Sequence, residues 1–203
     1  MIIYNFLDYV FVSPSIIKVI RVLNERVTAI SGRETARLAL ITHRSALKAL
    51  TTLESFKIVK RQVGGRDHLF TLNRENYIVS ELLSVMLDSE KEFVNRIFSL
   101  IKRRLGKVTE SIIVFGSVAR KEETVTSDLD ICIIYKGNKK EIEILANIVF
   151  NTLNKKFAVT LAPLYLSERE FRKRAKRNDS PVNSILKEGK VISGKSIKKL
   201  ING

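Results

Sequence analysis

Two apolar runs, SIIVF at 111–115 and LDICIIY at 129–135, bracket the stretch GSVARKEETVTSD. Short runs rich in β-branched residues read as buried strands, so the chain between them must turn, carry a short helix and return. Gly116 and Ser117 stand where the first run ends, and Asp128 and Asp130 where the second begins. A turn that opens a helix gathers free backbone N–H groups, and glycine lets an anion approach them closely. Ser117 adds a hydroxyl donor. Asp128 and Asp130, two apart on a strand, project to one face, where two carboxylates can share a Mg²⁺ ion. Transfer of a phosphoryl or nucleotidyl group needs both parts, a grip on the phosphates and metal charge beside it. The alternative is a surface loop followed by aspartates that only cap or solvate a strand.

The surrounding pattern extends the same architecture. A helix is expected over about 138–154, a strand in FAVTLAPLYL, and a helix from Ser167, where Glu170 completes an S-x-x-E start. Alternating strands and helices give an α/β (α+β) domain with a mixed sheet over 107–203. Residues 76–88 and 89–105 read as two connecting helices, with Tyr77, Ile78, Leu82, Val85 and Met86, then Phe93, Ile97, Leu100 and Ile101, as their apolar faces.

The first 75 residues have a different rhythm. Ser13-Pro14 is a helix start, followed by Ile16, Ile17, Val19, Ile20 and Leu23 at helical spacing. A second helix starts at Ser31, with Glu34 as in a capping box and Ala36, Leu38 and Ala39 as the buried face. A third starts near Thr42, with Leu47, Leu50 and Leu53 inward. Then KIVKRQ and HLFTLN, joined across Gly64-Gly65, form a hairpin pattern. Helices followed by a hairpin is the order of a mainly α winged helix-turn-helix.

The net charge is +15. A surface this basic attracts polyanions, chiefly nucleic acid, and salt weakens the attraction. A generally lysine-rich protein without such a partner is the other reading. The single Cys132 lies in an apolar run and reads as a core residue in a reducing compartment. No secretory leader and no membrane-spanning stretch is read, so a cytoplasmic protein is expected. His43 and His68 have no partner at metal-ligand spacing, and neither a P-loop nor a GxGxxG sequence occurs.

FGSVARKEETVTSDLD resembles the nucleotidyltransferase superfamily related to DNA polymerase β, in particular the minimal nucleotidyltransferases, over about 108–195. The late KEGKVISG segment looks like the end of such domains. The resemblance implies that Gly116 and Ser117 hold the nucleotide phosphates and that Asp128 and Asp130 are the catalytic, Mg²⁺-binding pair. Arg120 lies near the phosphates by the same carry-over, with a surface ion pair as its alternative role. Two departures stand out. Lys121 replaces a common glycine after Ala-Arg. The third carboxylate of active members is missing: no acid occurs between Glu143 and Glu168, and Thr160 or Ala162 stands about where it belongs. Glu168 and Glu170 are substitutes by position, although both also read as helix caps.

The front half resembles the winged helix-turn-helix found before such domains in some prokaryotic proteins. That resemblance makes the third helix a recognition helix, with His43, Arg44, Ser45 and Lys48 entering a major groove. Lys60, Arg61 and Arg66 of the wing would then contact phosphates. A winged helix that binds protein or dimerises is the alternative. The basic run REFRKRAKR at 169–177 reads either as a track for a nucleic acid or the nucleotide, or as a solvated helix face. The expected ligands and partners are a nucleoside triphosphate with Mg²⁺, DNA, a protein partner or acceptor, and a second copy of the chain. The rival function is a DNA-binding regulator whose degenerate nucleotidyltransferase-like domain senses nucleotide or dimerises.

Overall fold

The structure, a computed structural model, describes residues 4–65 and 67–202. It divides into two compact units, Met1–Glu92 and Phe93–Gly203.

In the first unit α1 (Phe6–Val10) and α2 (Pro14–Asn24) precede a two-residue strand β1 (Ile30–Ser31). Helices α3 (Gly32–Leu38) and α4 (His43–Ser55) follow, then strands β2 (Val59–Gly64) and β3 (Asp67–Leu72). The helix starts fall where the sequence places them. The Ser13 hydroxyl accepts from the Ser15 N–H, Ser31 from Glu34, and Thr42 from Ser45. Each cap satisfies an N–H that the first helical turn leaves open. The capping box at Ser31 is half made, because the Glu34 carboxylate pairs with Arg37 instead.

The three strands form an antiparallel sheet in the order β1-β3-β2. Pairing runs as far as Gly64↔Asp67, so the ladder continues to the tip of the hairpin. Gly65 has φ +63°, the left-handed region that glycine enters without penalty. The core combines Ile16, Val19, Ile20 and Leu23 of α2 with Ala49, Leu50 and Leu53 of α4 and Phe70 and Leu72 of β3. Leu47, expected inside, is 39 % exposed and lies over Gly32, because the buried stripe runs through Ala46, Ala49, Leu50 and Leu53. On α3, Thr35 joins Ala36 and Ala39 inside, while Leu38 is only half-buried.

The two connecting helices read from the sequence are one helical run. A π-helical stretch, Ile78–Leu83, passes directly into α5 (Ser84–Leu105) without a break near 88. The wider π turn shifts the inward face by one residue. Val79, Leu83 and Leu87 are buried, whereas Tyr77, Leu82 and Val85 are exposed.

The second unit holds β4 (Thr109–Val114), α6 (Gly116–Arg120), β5 (Leu129–Tyr135), α7 (Lys139–Phe157) and β6 (Leu161–Leu166). Then come α8 (Glu168–Arg177), α9 (Val182–Glu188), β7 (Lys190–Gly194) and α10 (Ile197–Asn202). The sheet is mixed, in the order β6-β5-β4-β7, with β5–β6 parallel and the other pairs antiparallel. β4 and β5 are apolar without alternation because both faces are covered. One face buries Ile112, Val114, Ile131 and Ile133 against Ile97, Ile101 and Leu105 of α5 and Ile142, Val149 and Leu153 of α7. The other buries Ile113, Cys132 and Ile134 against Phe171, Val182, Ile185 and Leu200 of α8, α9 and α10. Cys132 is a core residue, and burial pushes its thiol up to about 12.

β6 is an edge strand. The Leu129 N–H bonds the Thr160 carbonyl, and Leu129 stands in register with Leu161. Backbone groups at 160 and 162 therefore face β5, and those at 161, 163 and 165 face outward. Pro163 occupies one of the outward positions.

Candidate active site

The sheet brings the two halves of the sequence motif together. β4 and β5 are antiparallel neighbours with Val114 opposite Ile131, so the end of β4 lies beside the start of β5. The chain turns at Gly116, which has φ +70°. A Cβ on Gly116 would stand 2.2 Å from Asp130 Oδ2, so the Asp130 carboxylate packs directly against the glycine turn. α6 is a single short turn of helix that ends at Lys121, φ +62°. A glycine at that place would meet the left-handed backbone more cheaply than Lys121 does. Thr124, Thr126 and Ser127 then form a web of hydroxyl hydrogen bonds that closes the loop before Asp128.

Asp128 is exposed and Asp130 half-buried. Burial pushes the Asp130 carboxyl above its ordinary value, and the Asp128 charge pushes it the same way, with Arg120 pulling back. A carboxylate whose proton affinity is raised by a neighbouring carboxylate is in an arrangement that a divalent cation relieves. The donor set is hard oxygen, which suits Mg²⁺, an ion commonly held by one or two carboxylates plus substrate phosphates. Among the described residues no group of three or more His, Cys, Asp or Glu is placed to hold a metal. The aspartates stand as a pair.

The strand on which the resemblance expects a third acid is β6, beside β5. Ala162 pairs with Asp130 across β5–β6, and Thr160 lies two residues earlier on the same side of the strand. Neither offers a carboxylate. Glu168 and Glu170 are engaged elsewhere. Glu168 is bonded by Arg172 and by Lys195, at 2.9 Å from the latter, and both hold its carboxyl low. Glu170 completes a full capping box with Ser167, whose backbone N–H and hydroxyl lower its carboxyl in turn.

Sequence reasoning missed Glu188. Its Oε1 accepts from the Gly116 N–H at 3.2 Å and from Arg120 at 2.7 Å. α9 ends at Glu188, and the next strand places Lys190 opposite Val114, which delivers this carboxylate to the glycine turn. Arg120 also bonds Glu122 at 2.7 Å, and the two carboxylates raise its already high pKa. Lys190 donates to the Ala119 carbonyl and fixes the other end of α6. The only early signal was an acid directly before Gly189 in the KEGKVISG segment.

On the first unit, His43, Arg44 and Lys48 are exposed along α4, while Ser45 is half-buried and its hydroxyl meets Thr42. Lys48 and Ser45 line a hollow of about 390 Å³ with Val12, Ser13 and Thr52. In the hairpin Lys60 pairs with Glu75 at 2.5 Å and Arg61 with Glu54 at 2.9 Å. Arg66 lies outside the described residues.

The mixed sheet, the glycine turn and the aspartate pair are consistent with a nucleotidyltransferase-like domain in the second unit. Residues 94–192 match the family model described as the nucleotidyltransferase domain. The chain is also similar to a solved toxin–antitoxin complex with AMP-PNP, at 16 % identity and a TM-score of 0.37, over 53 % of this chain and 79 % of that one. A mutant of the toxin–antitoxin MntA–HpeT is matched at 17 % identity with the same TM-score and coverage. No curated protein matches the chain significantly. Among the described residues no helix is long and apolar enough to cross a membrane.

Proposed function

We propose that the chain is a Mg²⁺-dependent nucleotide-binding protein of the nucleotidyltransferase type. The observation that carries this reading is the Asp130 carboxylate seated against Gly116, with Asp128 close enough to disturb its charge. Gly116 and Ser117 would hold nucleotide phosphates, Arg120 would lie beside them, and Asp128 and Asp130 would hold the magnesium. The ion, when bound, supplies charge that neutralises the triphosphate. The protein's own part is to orient the phosphates at the turn and keep the two carboxylates adjacent.

Nucleotidyl transfer also needs a base for the acceptor hydroxyl, and neither Thr160 nor Ala162, on the strand beside Asp130, is an acid. This observation favours a second reading, in which nucleotide is bound and sensed but transferred slowly or not at all. In both readings the first unit is a DNA-binding winged helix spanning about 1–75, linked through 76–106 to the domain at 107–203. The strand order and the exposed α4 cations support that assignment. A protein acceptor or partner and a homodimer complete the proposal.

Incubation with Mg²⁺ and each α-³²P-labelled nucleotide, alone and with lysate, tests the chemistry. Label transfer that Asp128→Asn abolishes establishes an enzyme. Nucleotide binding without transfer supports the sensor, and affinity unchanged in Asp128→Asn would overturn the metal-site assignment.

A further inference from the structure

A second basic surface lies on the second unit, in residues that the nucleotide site and α4 do not use. α8 is anchored by Phe171, which is fully buried, so the aromatic in REFRKRAKR is a core residue with no ring to offer a ligand. The helix turns Arg169, Lys173 and Lys176 outward at spacings of four and three, one continuous stripe. α10 packs beside α8, since the Arg172 guanidinium donates to the Leu200 carbonyl at 2.8 Å, and it adds exposed Lys198 and Lys199. Two adjoining hollows of about 610 and 540 Å³ are lined by these cations. The one acid in either lining is Glu168, already bonded by Arg172 and Lys195. Arg169, Lys173, Lys176, Lys198 and Lys199 have no carboxylate partner among the described residues.

We propose that this α8–α10 face binds the phosphate backbone of a nucleic acid strand. The composition of the surface selects that partner. Protein interfaces are centred on aromatic or apolar anchors, and a helix that lies on a membrane buries an apolar face. After Leu166 the only large hydrophobic residue exposed among those described is Val191, which belongs to β7. A face of unpaired cations without an apolar anchor fits a polyanion whose charge is evenly spaced and whose binding is driven by counterion release. The stripe from Arg169 to Lys176 is about 10 Å long at the helical rise, enough for about three nucleotides at strand spacing. The nucleotide-binding reading is not required for this surface to work.

The test is a salt titration of the full-length chain with fluorescent oligo(U) of about 20 nucleotides and with a duplex of equal length, which separates single strands from duplex as the source of the phosphates. Each phosphate contact contributes about 0.7 to the slope of log K against log salt for a single strand and about 0.9 for a duplex. Substituting Lys173, Lys176, Lys198 and Lys199 with alanine is expected to lower the slope by about 3. A control that removes the same charge from Lys102, Arg103, Lys155 and Lys156 is expected to change it by less than about 1. Equal falls in both variants would mean that only net charge matters and would overturn the proposal, as would an unchanged slope in the α8–α10 variant.

Discussion

Replacing Gly116 with alanine tests the core of the candidate site, and its cost separates into two parts. The first is backbone. Gly116 has φ +70°, and an L-residue held in the left-handed region costs about 1–2 kcal/mol. The second is contact, because the new Cβ would stand 2.2 Å from Asp130 Oδ2. The carboxylate must swing aside, and an off-rotamer side chain costs about 0.5–1.5 kcal/mol more. Gly137 isolates the first part, since it has φ +68° and a Cβ there would meet nothing within 4 Å. Gly137→Ala should therefore lose about 1–2 kcal/mol and leave nucleotide affinity unchanged. Gly116→Ala should lose about 2–3 kcal/mol and weaken Mg-nucleotide binding at least about tenfold, because the carboxylate proposed to hold the metal is displaced. Urea denaturation reads the stabilities and calorimetric titration the affinities. Equal stability and equal affinity in the two variants would refute the claim that Asp130 depends on a bare glycine.

Three further outcomes follow from the same geometry. Glu188→Gln keeps an acceptor for the Gly116 N–H but removes a negative charge from the turn, so triphosphate affinity should rise by about 3- to 10-fold, near 1 kcal/mol; unchanged or weaker binding in the titration would count against an anion seat there. Ala162→Asp places an acid in register with Asp130, and label transfer should increase about 100-fold or more if the lack of a base is what limits it. No gain, with nucleotide still bound, would place the defect elsewhere. Lys195 depresses the carboxyls of Glu110 and Glu168 below their ordinary 4.5. Their stabilising contribution is thus complete above 4.5 and is lost as the pH falls through their lowered values. Urea midpoints between about pH 6 and pH 3 should fall more steeply in the native chain than in Lys195→Ala, and parallel curves would disprove the linkage.

The motif was legible because its parts are local. A glycine after one apolar run and aspartates at the next need only adjacent antiparallel strands to meet, and β4 and β5 supply them. The caps at Ser13, Ser31, Thr42 and Ser167 were legible for the same reason, since each bond spans no more than three residues. Glu188 was not. Its partners Gly116 and Arg120 lie about seventy residues away in sequence, and only the β4–β7 register brings them together. The inward face of the helix after Asn76 was misread because an α period was applied across a π stretch. Leu47 was misplaced because a leucine at the flank of a stripe looks like one at its centre, until α3 packs closely enough to bring Gly32 beneath it.

Pro163 has a consequence for how this sheet survives its own synthesis. The parallel β5–β6 pair closes over a long crossover through α7, a kind of contact that forms late and leaves a strand exposed meanwhile. The outward side of β6 would be a template on which another chain could add a strand, and chains that pair edge to edge aggregate. A proline at one of its outward positions removes a donor from the middle of that template. The ladder toward β5 is untouched, because the residues that face it are the alternate ones. The same strand is thus competent to complete its own sheet and unfit to seed a larger one.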